Sequence, residues 1–255
     1  MSGHGFVFMT VEQSVHGNPA QAFKDDLPSL LSSILLGTVG VLSFIVQPGL
    51  VQGFVTELGT TETEAVNLAG IEMLGTAISA IILAFVTGHL NWRIVVATGL
   101  LLAGAGNILS AAFIDNDLLY AFRFLAGAGH GIIISISFTL ISVTRQPERN
   151  LALYLTSLLA YSALLLWYMP TFFEAFGIAN LFYLFAAICL LSLPTAKFVL
   201  RSYHGEEAHN PKSRQLKNSS LILALGSIGA YNLAIGITWG ILALVGLSAG
   251  FTEQG

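Results

Sequence analysis

The sequence contains little charge. Only 9% of its 255 residues are Asp, Glu, Lys or Arg, whereas soluble domains carry about 25%. Hydrophobic residues make up 55% of the chain, and its mean hydropathy is +0.77. This composition excludes an ordinary soluble domain and indicates an integral membrane protein. The formal net charge of -4 also argues against binding to nucleic acid.

Cysteine and targeting signals are scarce as well. The single cysteine, Cys189, excludes a disulfide framework. Residues 1–27 have no basic region followed by an apolar core, which a secretory signal needs, and they contain Glu12, Asp25 and Asp26. We therefore interpret residues 1–27 as a short polar tail.

The sequence also lacks the residue groupings of an enzyme. It contains no cluster of His, Glu and Asp at metal-ligand spacing and no GxSxG serine motif. A retinal pigment is excluded because the last apolar segment, residues 221–247, contains no lysine for a Schiff base. We expect neither enzymatic activity, nor a cofactor, nor a bound metal.

Long apolar runs, in contrast, are abundant. Seven segments reach the length of about 20 residues that a membrane-spanning helix needs. They are residues 30–55, 65–87, 94–113, 118–143, 151–172, 178–199 and 221–247. The prediction is an all-α, polytopic membrane protein in four parts. These are the tail 1–27, a six-helix bundle 28–200, a polar linker 201–218 and one further helix within 219–255.

The basic residues outside the spans predict the orientation. All of them fall on the side of the N-terminus, and cytoplasmic loops are enriched in Lys and Arg. They are Lys24, Arg93, Arg145, Arg149, Lys197, Arg201, Lys212, Arg214 and Lys217. We therefore expect a cytoplasmic N-terminus in a cell membrane or bacterial inner membrane.

The remaining basic residue, Arg123, lies inside the fourth span, where inserting a charge costs about 2.5–3.5 kcal/mol. Glu72 is the acidic residue well inside another span. At 1.5 Å per residue, the two lie roughly 9 and 12 Å from the outer ends of their spans. We predict a buried Glu72–Arg123 ion pair, which either changes protonation during transport or fixes the packing. His130, two turns after Arg123, either relays protons or is a neutral histidine bonded to a backbone carbonyl.

Three glycines follow Arg123 at alternate positions. We expect Gly127, Gly129 and Gly131 to strip one face of the helix so that another helix or a solute can approach. The run Arg123-x-x-x-Gly127-x-Gly129-x-Gly131 resembles the RxxxGxGxG motif of the major facilitator superfamily. The six-span bundle and the basic linker agree with that resemblance.

The resemblance implies several properties of this chain. The first and fourth helices are expected to line a central cavity, and Arg123 is expected to couple transport to protons. Members of this superfamily usually have twelve spans in two bundles. The chain therefore looks like the first bundle plus one helix, and the missing C-terminal helices would be needed for full activity.

Two further motifs of the superfamily are incomplete here. The loop after the second span retains Gly88, Leu90 and Arg93 of the pattern G-x-L-x-D-R-x-G-R-R, but it lacks the acidic residue and the basic cluster. We therefore do not expect the usual gating salt bridge. The fifth span has Trp-Tyr-Met-Pro at 167–170 and lacks the glycine-proline motif of many drug/proton antiporters, which lowers that interpretation without removing it.

Several polar residues within the spans are candidates for solute contact. Gln47 precedes Pro48 and Gly49 in the first span and either contacts solute or belongs to a structural kink. In the seventh span, Tyr231 and Asn232 would contact solute if that helix faces the cavity. Arg123 offers the deep positive charge, which suits a carboxylate.

The sequence thus predicts a secondary active transporter that moves a small organic solute, with a carboxylate as one candidate. Coupling to protons and rocking of two bundles around a midplane site are expected. Its partners would be the lipid bilayer, the solute and protons. A non-transporting sensor or scaffold and a drug/proton efflux antiporter remain alternatives, and a receptor remains a weaker one.

Overall fold

The computed structural model describes residues 27–86, 90–144 and 146–200, together with scattered positions between 223 and 249. This part of the chain is helical and contains no strand, which confirms the all-α prediction. Its helices are α1 (Leu27–Gly40), α2 (Leu42–Ile45), α3 (Gln47–Leu58), α4 (Glu62–Val86), α5 (Trp92–Ala112), α6 (Leu119–Ser142) and α7 (Pro147–Leu191), followed by a 3-10 helix at Leu193–Phe198. Four helical segments are long and apolar enough to cross a membrane, namely α4, α5, α6 and Pro147–Phe198.

The first predicted span is not one continuous helix. It divides into α1, α2 and α3, with interruptions at Val41 (φ -103°, ψ 11°) and Val46 (φ -107°, ψ 13°). Pro48 lies in the first turn of α3, where the missing amide costs little. In an unbroken helix the residue at position 48 would donate to the carbonyl of Phe44, which here accepts from the N–H of Val46 instead. The proline therefore begins a new helix and does not simply kink an old one.

The fifth and sixth spans meet at a single residue. An unbroken helix of 45 residues, the length of α7, would measure about 68 Å, more than twice the hydrocarbon thickness of a bilayer. Gly177 interrupts it with φ 74° and ψ 164°, a conformation open essentially to glycine alone. Phe173 and Ile178, on either side of this break, both pack against Gly53 of α3. The gap predicted between the spans 151–172 and 178–199 is therefore reduced to this one non-helical residue.

Helix α6 is central to the bundle and packs against α4, α5 and α1. Two buried apolar clusters lie along it. Leu119 belongs to a cluster that includes Phe54 and Phe182, whereas Ile133 belongs to one that includes Trp92. Arg123 and His130 of α6 lie between these two positions, so they are enclosed by apolar packing on both sides.

The described Lys and Arg residues outside the centres of the helices lie at one end of the bundle, and most of the described acidic residues lie at the other. We call the first the basic end, which contains Arg93, Arg149 and Lys197 together with Glu148. We call the second the acidic end, which contains Glu57, Glu62, Glu64, Asp115, Asp117 and Glu174. At the basic end, Arg93 Nε donates to the carbonyl of Val199 at 2.7 Å and so joins the third span to the end of the sixth.

Candidate functional site

Arg123 lies at the centre of the bundle with no exposed surface. Its Nη2 forms an ion pair with Oε2 of Glu72 on α4. Nη1 donates to Oδ1 of Asn107 on α5 at 2.9 Å, and Nη2 also lies 3.4 Å from Oγ of Ser43 on α2. The guanidinium carbon is 4.4 Å from the ring centre of Phe182 on α7. Four other helices therefore hold this one side chain.

The second oxygen of the Glu72 carboxylate faces a histidine. Nδ1 of His130 lies 3.4 Å from Oε1 of Glu72, and His130 is buried. Helix α6 carries both Arg123 and His130, seven residues apart, and Glu72 lies opposite them on α4. One carboxylate is thus shared between a guanidinium and an imidazole.

Several buried atoms of the bundle have no hydrogen-bond partner within the described residues. They are Nε of Arg123, Nε2 of His130 and, four residues after Ser43 on the first span, Oε1 of Gln47. Oε1 of Glu72 has only the 3.4 Å approach of His130 Nδ1. Buried polar atoms without partners are uncommon in folded proteins. The cluster therefore retains donors and acceptors beyond those used by its own contacts.

The three glycines of α6 serve two helix contacts. Gly127 and Gly131 lie against backbone carbonyls of α4, at Glu72 and Thr76. Gly129 faces the other way, towards the backbone of α5 at Gly99 and Ala103. The prediction that all three clear one face is wrong, because residues two apart are separated by 200° around a helix. They bring the backbones of α4 and α5 into close contact with α6.

Comparison with known proteins identifies the chain. A family model for the Major Facilitator Superfamily matches residues 32–253, which is most of the sequence. The chain belongs to this superfamily. Its apolar helices and this membership make it an integral, multi-pass membrane protein. No curated protein matches it.

The superfamily fold is also seen in a solved structure. The chain resembles a crystal structure of a peptide transporter, POT, solved in complex with sulfate, with a TM-score of 0.55 and 17% identity. The match covers 86% of this chain and 49% of that one, so the chain spans about half the length of that structure. At this identity the likeness shows the fold alone.

The other site residues predicted for this superfamily member lie apart from the Arg123 cluster or outside the described residues. Arg93 lies at the basic end, and Gly88 is outside the described residues. Tyr231 and Asn232 of the seventh span are also outside them. Gln47 is buried within the bundle.

A cavity of about 360 Å³ lies at the acidic end of this superfamily member, between α3 and the first half of α7. Pro48 and Gly49 line it, and Glu57 and Glu174 are also among its lining residues. Sequence reasoning missed this cavity, as it missed Ser43 and Phe182 around Arg123. The sequence signal at this place is one proline in each helix, Pro48 and Pro170, since a proline cannot donate the helical backbone hydrogen bond.

Proposed function

We propose that this chain forms part of a secondary active transporter, which moves a small organic solute by alternating access and is driven by protons. One observation carries the proposal: the buried carboxylate of Glu72 lies between Arg123 and His130. Ionisable groups buried within membrane spans are costly, so their presence favours a functional role.

Protonation of Glu72 changes what holds Arg123. While Glu72 is ionised, the pair is neutral and ties α4 to α6. A proton on Glu72 removes the anion and leaves the guanidinium with Asn107, Ser43 and the ring of Phe182. A buried charge without its counter-charge is strongly unfavourable. Protonation therefore weakens the α4–α6 contact at its polar centre. His130 accepts a proton at Nε2 and passes the proton on Nδ1 to Oε1 of Glu72, which leaves the ring neutral.

The same charges support an orientation. The described basic end carries Arg93, Arg149 and Lys197, whereas the described part of the acidic end carries no Lys or Arg. We propose that the basic end, and with it the N-terminus, lies in the cytoplasm.

The structure gives no support to a preference for carboxylates. Arg123 was the reason to expect an anionic solute, but it is completely buried and already neutralised by Glu72. A solute would need to displace Glu72 to reach the guanidinium.

The coupling role can be tested in proteoliposomes with an inside-alkaline pH gradient. Labelled phenethylamine and 3-phenylpropionate serve as probe solutes, and counterflow exchange is measured beside driven accumulation. Glu72→Gln/Arg123→Gln removes both charges and so avoids an unpaired buried charge. We expect this double variant to exchange solute without accumulating it, whereas Glu62→Gln, an exposed carboxylate on the same helix, behaves as the parent.

A static pair that only fixes the packing is the second candidate, because the same contacts also hold four helices together. It predicts that the double variant accumulates solute as the parent does. Infrared spectroscopy provides a measurement that does not depend on the solute. Coupling requires a protonated-carboxyl band that grows on acidification and is missing in Glu72→Gln, whereas a static pair shows no such band.

A further inference from the structure

The cavity at the acidic end has an apolar floor. Met169 and Phe173 of α7 form part of its lining and are almost fully buried. They pack closely on α3, because a Cβ placed on Gly49 or Gly53 would lie 2.6 and 2.7 Å from atoms of their side chains. A volume of about 360 Å³ is within the range of small-molecule sites.

The polar groups around this floor are mostly hydrogen-bond acceptors. The carboxylates of Glu57 and Glu174 are exposed at the cavity, and no described basic side chain lies within 4.0 Å of either. Pro170 has no N–H to donate to the carbonyl of Leu166, so this lining residue lacks its usual helical donor. Gln52 and Thr56, which can donate as well as accept, complete the polar side.

From this geometry we infer that the cavity between α3 and α7 binds an organic cation with an apolar body, with Glu57 and Glu174 as its counter-charges. The apolar part lies on Met169 and Phe173, and the ammonium group meets the carboxylates and the Leu166 carbonyl. Both carboxylates line the cavity without a described basic partner, so a bound cation meets no competing positive charge there. The described acidic end also attracts cations to the cavity over a longer range.

The inference names a solute class for the proposed transport and rests on that proposal for its role. Binding itself is independent of proton coupling. If Glu72→Gln/Arg123→Gln loses driven uptake but still binds the cation, only the coupling site has been affected. If the parent protein drives uptake but does not bind the cation, the inference about the cavity fails and the coupling proposal stands.

The test is equilibrium binding to the full chain in detergent at low salt. The probes are labelled phenethylammonium and 3-phenylpropionate, which have the same apolar body and opposite charge, and ⁴⁵Ca²⁺ as a simple cation. We expect phenethylammonium to bind and to be weakened by added salt, whereas 3-phenylpropionate does not bind.

Two sets of substitutions distinguish binding in the cavity from general attraction of cations to the acidic end. Glu57→Gln/Glu174→Gln should weaken phenethylammonium binding by at least about tenfold, because both counter-charges are lost. Glu62→Gln removes an exposed carboxylate of the same end that does not line the cavity, and should change binding by less than about twofold. Thermal unfolding of each variant checks that it is folded.

A second variant tests shape instead of charge. Thr56→Phe fills the cavity from an exposed position without changing the charge, and it should also abolish binding of phenethylammonium. Equal binding of 3-phenylpropionate, binding of Ca²⁺ in place of phenethylammonium, or unchanged binding in the double variant would each overturn the inference.

Discussion

The centre of α6 and the cavity at the acidic end place carboxylates in opposite surroundings. At the centre, Glu72 is buried and paired with Arg123, and glycines let the neighbouring backbones touch. At the acidic end, Glu57 and Glu174 are exposed and have no described basic partner. Each lies on a helix that contains a proline. At the centre, close packing brings the carboxylate against its counter-charge, whereas the cavity leaves space beside two carboxylates that have no described basic partner. We propose the first region as the site of protons and the second as the site of a larger cation.

Glu72→Gln should have the largest effect on this contrast. It leaves the guanidinium of Arg123 buried without its counter-charge, which typically costs about 3–5 kcal/mol of stability. Glu57→Gln at the cavity should change stability by no more than about 0.5 kcal/mol, since its carboxylate is exposed. Unfolding in detergent measures both. Equal losses would show that the two carboxylates are not held differently.

Gly127→Ala should have the next largest effect. Its Cβ would collide with the backbone carbonyl of Glu72, so α4 and α6 would have to separate, at a cost of about 2–3 kcal/mol. Gly70→Ala on α4 is the matched control, because nothing lies within 4 Å of the added Cβ. The thermal unfolding midpoint should fall clearly for the first variant only, and an unchanged midpoint for Gly127→Ala would contradict the close contact.

Gly177→Ala tests the break in α7. The added methyl group meets only Glu57 Oε2, at 3.9 Å, so its cost comes from the backbone at φ 74° and not from packing. We expect a loss of about 1–3 kcal/mol, measured by the same unfolding assay. Gly236→Ala, a helical glycine with nothing within 4 Å of the added Cβ, is the control. If Gly177→Ala left the stability unchanged, the chain would not need a residue with positive φ at this break.

Gly53→Ala should have the smallest effect of the four. Its Cβ would lie 2.7 Å from a ring atom of Phe173, but this ring borders the cavity and has room to move. We expect a loss below about 1 kcal/mol in the unfolding assay, smaller than that of the same substitution at Gly127. A loss of stability as large as that of Gly127→Ala would mean that the ring of Phe173 cannot move into the cavity.

Apolar length and charge placement predicted most of the fold. Runs of apolar residues located the spans, and counting depths from their ends made Glu72 the candidate partner of Arg123. Both inferences use one property that the chain carries locally, the position of a residue along a helix of known rise. The helical character of the described residues and the superfamily agree with them.

Features that depend on how two distant segments meet were not predicted. Ser43 lies far before Arg123 in the sequence and Phe182 lies far after it. Nothing in the local sequence of either residue indicates that it contacts Arg123. The cavity needs α3 and α7 together, more than 100 residues apart. The orientation of the three glycines, in contrast, could have been predicted from the sequence. At a rotation of 100° per residue, Gly129 lies on the opposite side of the helix from Gly127 and Gly131.

The partners of Arg123 also fit the order in which the chain is made. Ser43, Glu72 and Asn107 precede Arg123 in the sequence, and Phe182 follows it. When spans are inserted from the N-terminus, the acceptors for the guanidinium have entered the membrane before the arginine itself. The fourth span can then enter against its neighbours, so its charge need not face lipid without a partner.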